Sequence, residues 1–307
     1  MARRAWGGSE PQDEERLVML KTKLAEVEKS LGERAEEVDE ETFGTNGPTA
    51  SGPSDRCVVR FPGDRAEILV IVGTSQHIEV PGLVERISAI VDSAYTSVGK
   101  HKRVNRYDAI DRLQMGDAGP RANRVLHLAY LGKELVGCAS STFSPGWTPQ
   151  GCGHWGLLAV DPAHQGAGVA TALVLAAERR LAMVSESIQI EYQYTEGEEF
   201  SRRLLTWYEG KLGFDGGPRP TRAGQCSFRH CMKEIPQDVQ RRGERRRLQE
   251  IQSWLAGQVA EVEGSLSAVG KSSTSSTTTS SSPAGLGPGG GDDDDDEDDD
   301  EDEDSSD

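Results

Sequence analysis

No two cysteines in this 307-residue chain stand at Cys-x-x-Cys spacing. There are five, Cys57, Cys138, Cys152, Cys226 and Cys231, and an odd, unpaired set argues against a disulfide scaffold. Buried or partly buried thiols are the expectation. Cys152-x-His154 and His230-Cys231 bring thiol and imidazole together, but without paired-ligand spacing no metal site is expected. Arg3 and Arg4 are followed by no apolar segment, and acids begin at Glu10, so neither a signal nor a transit peptide is read. An apolar run of membrane-spanning length is missing as well. These absences point to a cytoplasmic or nuclear protein in a reducing compartment, without a membrane partner. A basic footprint is also lacking. The net charge is −17, and fourteen of the acids lie in the last sixteen residues, so the remainder is nearly balanced and no nucleic-acid partner is expected.

The chain divides by composition. Residues 1–9 and 264–307 are expected to be disordered. In the second stretch a Ser/Thr/Gly/Pro-rich run is followed by thirteen consecutive Asp or Glu over 292–304, and such segments bury too little apolar surface to offset chain entropy. Residues 10–41 form a charged helix whose Leu17, Leu20, Leu24, Val27 and Leu31 make a seam at alternating spacings of three and four. That seam is open to a partner helix or to self-association. Residues 42–55 read as a linker, residues 56–235 as the main domain, and residues 236–263 as a C-terminal helix. The basic run Arg241–Arg247 opens that last helix and is expected to pack on the acidic N-terminal helix or to bind the acidic tail.

Within 56–235 the pattern is strand (Glu67–Val72), two helices, a hairpin around Leu131-Gly132-Lys133, then strand, helix, strand, helix, strand. The fold class is α/β, a mixed sheet with helices on both faces. The stretch that organises it runs from Leu157 to Leu173. Leu157-Leu158-Ala159-Val160 is a short buried strand, Asp161-Pro162 ends it, and Gly166 and Gly168 lead into an apolar-faced helix. A helix start offers unpaired N–H groups and the positive end of the macrodipole, and glycines let the backbone close on an anion. Gln165, Gly166, Ala167, Gly168, Val169, Ala170 and Thr171 are therefore read as a phosphate or pyrophosphate cradle. Val169-Ala170 replaces the Lys-Ser/Thr of a P-loop, and the dinucleotide spacing also fails.

The cradle resembles the acyl-CoA loop of the GNAT acetyltransferase superfamily, Arg/Gln-x-x-Gly-x-Gly/Ala, with Gln165, Gly168 and Ala170 at its positions. Leu205-Thr206-Trp207-Tyr208-Glu209-Gly210-Lys211-Leu212-Gly213-Phe214 is similar to the family's Tyr-Glu-x-x-Gly-Phe helix end, with one extra residue before Gly213. The resemblance covers roughly residues 56–235. It implies a mostly antiparallel GNAT-type sheet, acetyl-CoA as acyl donor, and transfer of acetyl to an amine by direct attack on the thioester. It also implies that pantetheine pairs with backbone at Leu158, Ala159 and Val160, between strands Leu157–Val160 and Ser187–Tyr194.

Amine acetylation needs a base to strip the ammonium and an acid to protonate the leaving thiolate. The resemblance gives Tyr208 the acid role. Glu191 is a base candidate, since ribosomal-protein alanine acetyltransferases carry a glutamate on that strand. His154 is the other, aligning with one of the paired histidines of arylalkylamine N-acetyltransferases, with Gly156 where its partner would stand. Ser201 replaces an Asn common seven residues before the tyrosine, and the loop Thr195–Phe200 is lengthened and carries three glutamates. The acceptor is left open among small amines, polyamines, protein N-termini and lysines, with the loops Ser97–Arg106, Ser144–Gly153 and Thr195–Phe200 around it. A non-catalytic acyl-CoA-binding scaffold is the alternative.

Overall fold

Runs holding Val, Ile and Leu build the central strands of this protein. The structure is a computed structural model that describes residues 10–33, 40–42, 47–63, 67–97, 104–222 and 224–272. Among them, β1 (Glu40–Thr42), β2 (Thr49–Ser51), β3 (Arg56–Arg60), β4 (Ile68–Val72), β5 (Arg124–Leu131), β6 (Glu134–Thr142), β7 (Cys152–Val160), β8 (Ser187–Thr195) and β9 (Cys226–Glu234) form one sheet in chain order. Every neighbouring pair is antiparallel except β7 and β8. Parallel neighbours need a crossover, and α4 (Val169–Leu181) supplies it.

Helices cover both faces. α2 (Leu83–Thr96) and α3 (Arg106–Gln114) bury Ile87, Ile90, Val91 and Leu113 against Leu126, Leu128 and Cys138. On the other face α4 sets Ala172, Leu173 and Ala176 on Val59, Val70 and Val136. A third cluster gathers Trp155, Leu181, Ile188, Tyr192, Tyr208 and Phe214 where α5 (Glu199–Leu205) meets β8.

Several boundaries differ from those expected. The charged helix α1 (Glu10–Gly32) ends before residue 41, and residues 40–42 are a strand. The supposed linker 42–55 contains β2, whose Ala50 is fully buried, because its loop-like composition is overridden by pairing with β3. The organising strand starts at Cys152 rather than Leu157, so its early half replaces the end of the expected loop. α6 (Gln237–Ser272) continues past 263, so residues 264–272 are helical. The rest of the presumed disordered tail and residues 1–9 lie outside the described residues, as do residues 98–103 of the Ser97–Arg106 loop. No helix among the described residues is long and apolar enough to cross a membrane.

α6 ties the outer segments to the domain. Gly243 lies against the Ala182 carbonyl, where a Cβ would approach within 2.3 Å. Arg246, buried, donates to the Arg179 carbonyl at 3.1 Å. Glu250 accepts from the Ser54 backbone N–H at 2.6 Å and from its hydroxyl at 2.8 Å. Beyond this, α6 meets α1 through Arg16 to Gln258 (3.2 Å), Gln252 to Glu28 (3.5 Å) and Lys21 to Glu263 (2.7 Å). The Leu17–Leu31 seam thus sits at an intrachain helix contact, with Leu20 on one side and Leu255 and Val262 on the other buried. The basic run Arg241–Arg247 packs on the end of α4 through Gly243 and Arg246, and the acidic tail lies outside the described residues.

Candidate active site

β7 and β8 are bonded only at their first residues, Cys152 to Ser187, Gly153 to Ile188 and His154 to Gln189. Beyond His154 no bridge joins them. The reason lies in β7. Its pairing with β6 goes from Ser140–Gly156 to Cys138–Ala159, so one extra residue is taken up there. Leu157 absorbs it in a left-handed conformation, φ 49°. A non-glycine residue in that region costs about 1–2 kcal/mol, and the bulge bends its strand. The two strands splay, and a cleft of about 620 Å3 opens between them.

Residues from several elements line this cleft, with Tyr95 of α2 and Phe228 of β9 at its sides. β7 gives Gly156, Leu157, Leu158 and Val160; the turn and α4 give Gln165 and Ala170; β8 gives Glu191 and Gln193; the helix after β8 gives Phe200, Leu204, Trp207 and Tyr208. Asp161 fixes the turn. It accepts from Ala163 N–H at 2.8 Å and from Arg86 Nη2 at 2.6 Å, and these bonds, Ala163 first, hold its carboxyl below the usual range. Gly168 is the residue before α4, with φ 92°, and the first helical bond runs from Ala172 N–H to its carbonyl. Backbone N–H groups of Gly168, Val169, Ala170 and Thr171 therefore have no intrahelical acceptor. Gln165, Gly166 and Ala167 are exposed, while the Val169 side chain is buried and anchors the helix start. Such a turn fits a phosphate.

Tyr208 is buried between Trp155, Tyr192 and Trp207, with ring centroids at 5.9, 4.9 and 5.0 Å. Its hydroxyl has no hydrogen-bond partner among the described residues, and burial raises its pKa above the ordinary phenol value. It sits in a π-helical turn, Thr206–Lys211, in which Leu212 N–H bonds the Trp207 carbonyl five residues back. One wide turn takes up one surplus residue.

Residues 85–212 match the model of the acetyltransferase (GNAT) family. Over those residues the chain matches a GNAT acetyltransferase domain. Solved structures similar to it include an acetyltransferase from Thermus thermophilus, 19% identical over 54% of this chain and 97% of that one, TM-score 0.38. The PaiA N-acetyltransferase from Thermoplasma acidophilum, in complex with coenzyme A, is 12% identical over 55% and 99%, TM-score 0.40. An N-acetyltransferase from Staphylococcus aureus is 14% identical over 54% and 98%, TM-score 0.38. No curated protein matches the chain.

The residue in excess of the Tyr-Glu-x-x-Gly-Phe pattern falls in the stretch that this π-turn widens. Of the three candidate catalytic side chains, Tyr208 and Glu191 line the cleft and His154 does not. Gly156 explains His154: the ring lies where a Cβ on residue 156 would come within 2.9 Å of it, and Trp147 meets its edge at 5.6 Å. Ser201 serves the fold, accepting from Thr195 N–H at 3.0 Å and donating to Glu198 at 2.5 Å. The glutamates of the lengthened loop are likewise engaged, Glu196 accepting from the Tyr194 hydroxyl at 2.8 Å and Glu199 pairing with Arg203 at 3.7 Å. Of the predicted cofactor residues, Leu158, Val160, Gln165 and Ala170 line the cleft, whereas Ala159 is buried toward α2. Gly166, Ala167, Gly168, Val169 and Thr171 form the turn and first helical residues beside it.

Residues to which the sequence reading gave no role in the cleft also meet here. Glu209, next to Tyr208, accepts from Tyr192 Oη at 2.8 Å and from the buried Arg229 Nε at 2.8 Å. Arg229 also donates to the carbonyls of Gly217 and Pro218, both at 3.0 Å. His230 stands 3.2 Å from Glu191. No cluster of three potential metal ligands occurs among the described residues.

Proposed function

We propose that this protein is an acetyl-CoA-dependent N-acetyltransferase that moves an acetyl group onto an amine by direct attack on the thioester. The observation that carries this reading is one cleft onto which an anion-binding helix start, a carboxylate and a buried phenol all open. Acetyl-CoA supplies the thioester, an acyl group on a leaving thiolate. The N–H groups of Gly168 to Thr171 would hold its pyrophosphate, with Gln165 beside them. Backbone of Leu158, Ala159 and Val160, in the half of β7 released from β8, would take the pantetheine arm as an added strand.

An amine reaches the site as ammonium at neutral pH, so a proton must be removed before attack. Glu191 takes it: its carboxylate is on the cleft wall, while His154 is turned onto its own strand. Tyr208 protonates the departing thiolate and regains a proton as the nitrogen, now bonded to the acyl carbon, loses its second one. Burial raises its pKa, so the hydroxyl keeps its proton at every working pH and is a donor rather than a base. The aromatic rings around it exclude water from that exchange.

The test is release of CoA thiol by the full chain with acetyl-CoA and four amines: spermidine, phenethylamine, an alanine-started peptide and a lysine-bearing, N-terminally blocked peptide. Release above the no-amine rate with one class identifies enzyme and acceptor together. Release at the no-amine rate with all four refutes the reading.

A further inference from the structure

The antiparallel register of β8 and β9 sets Glu191 directly opposite His230. Opposed residues share a face of the sheet, and Gln189, two residues before Glu191, shares it too. Both neighbours go to the same atom. Gln189 Nε2 donates to Glu191 Oε1 at 3.0 Å, and His230 Nδ1 lies 3.2 Å from that oxygen. Glu191 Oε2 has no partner among the described residues. The contrast with Glu209 is sharp: that carboxylate is neutralised by the buried guanidinium of Arg229.

We propose that His230 is a positioning residue for the Glu191 base. This rests on Glu191 being the base of an amine acetylation. As an Nδ1–H donor, His230 pins Oε1 together with Gln189 and leaves Oε2 for the incoming ammonium. An arginine in its place would form a two-pronged pair that occupies both carboxylate oxygens; an imidazole reaches one of them and fixes the geometry through a single N–H. Glu191 Oε2 then accepts one proton from the ammonium, giving a neutral amine and a carboxylic acid. The N–H bond breaks, an O–H bond forms, and the acid later releases the proton to water. His230 is largely open to solvent, its side chain 62% exposed, so packing gives it no other task.

The experiment combines turnover with spectroscopy on the full chain. His230→Phe and His230→Asn are made in the native background and in Glu191→Gln, and CoA release is measured with whichever of the four amines the native protein consumes. His230→Phe is expected to lower kcat about tenfold with the KM for acetyl-CoA unchanged, since misplaced catalytic groups cost rate rather than donor binding. His230→Asn, whose amide N–H stands near the place of Nδ1, should recover to within about threefold. In Glu191→Gln the change to Phe should cost nothing further. Equal losses in both backgrounds, or no loss in the native one, would overturn the assignment. Imidazole 15N spectra decide the geometry without turnover: neutral His230 should be the Nδ1–H tautomer, and an Nε2–H tautomer also overturns it. If no amine is consumed, it is the acetyltransferase reading that fails, while the spectrum still decides for or against His230.

Discussion

Removing one oxygen from Tyr208 separates chemistry from packing. In Tyr208→Phe the ring remains between Trp155, Tyr192 and Trp207, so the apolar contacts of the π-turn persist. The deleted hydroxyl leaves no partner unsatisfied among the described residues, so unfolding free energy should change by no more than about 0.5 kcal/mol. Turnover should respond differently. A positioned general acid is worth about 10²–10⁴ in rate, and the raised pKa of this buried phenol makes it a reluctant donor, which argues for the low end. We therefore expect kcat to fall about 100-fold, a barrier increase of about 2.7 kcal/mol. The KM for acetyl-CoA should stay within about twofold, because uniform binding is untouched. The pH profile supplies a second check. A phenol that stays protonated adds no basic limb, so native and variant profiles should have the same shape on the alkaline side. The assay is CoA release across pH with urea unfolding of both proteins. A kcat drop of less than about threefold, with stability unchanged, would refute the acid role.

Two further outcomes test the cradle and the core. Ala167 is exposed in the turn, so Ala167→Glu should place a carboxylate beside the helix start and weaken CoA binding about tenfold at low salt, less at high salt; an unchanged Kd by calorimetry would remove the phosphate site. A substitution at Gly168 is a poorer probe, because a Cβ there meets the Phe61 ring at 2.5 Å whatever the ligand. His127 is fully buried, bonded to Ser141 at 2.8 Å, and its pKa is pulled down to about 3 by burial and then by Arg180. The unfolded chain takes up a proton below pH 6.5 that the folded one refuses, so this contribution is complete above pH 6.5 and falls by about 1.4 kcal/mol per unit towards pH 3. Urea unfolding across that range should show a shallower acid slope in His127→Gln; equal slopes would refute it.

Much of the site was legible because its signals are local. Four apolar residues, Asp161-Pro162 and two glycines describe a strand, a turn and a helix start without knowledge of the rest. Register is what the chain conceals. That His230 faces Glu191 follows only from how β9 pairs with β8, and no spacing within either strand reveals it. The bulge is hidden for the same reason: Leu157 looks like its apolar neighbours, and the surplus residue appears only against β6. The extra residue near Gly213 was countable, but a loop, a kink and a π-turn are equally compatible with a count. The place of the His154 ring is hidden too, since it depends on the side chain that Gly156 lacks. β2 escaped notice because Thr49-Ala50-Ser51 has the composition of a turn and becomes a strand only when β3 is beside it.

The clasp between Glu250 and Ser54 sets an order of events during synthesis. The two residues are 196 apart in the chain. At about 5–20 residues per second, a ribosome needs roughly 10–40 s to make the second after the first. Through that interval the Ser54 amide waits for α6, joined in its later part by the Arg179 carbonyl and the surface at Ala182. The family domain proper, residues 85–212, is made well before its last helix. A nascent chain thus passes through a stage in which the cleft between β7 and β8 is made and the surface that α6 covers is still open.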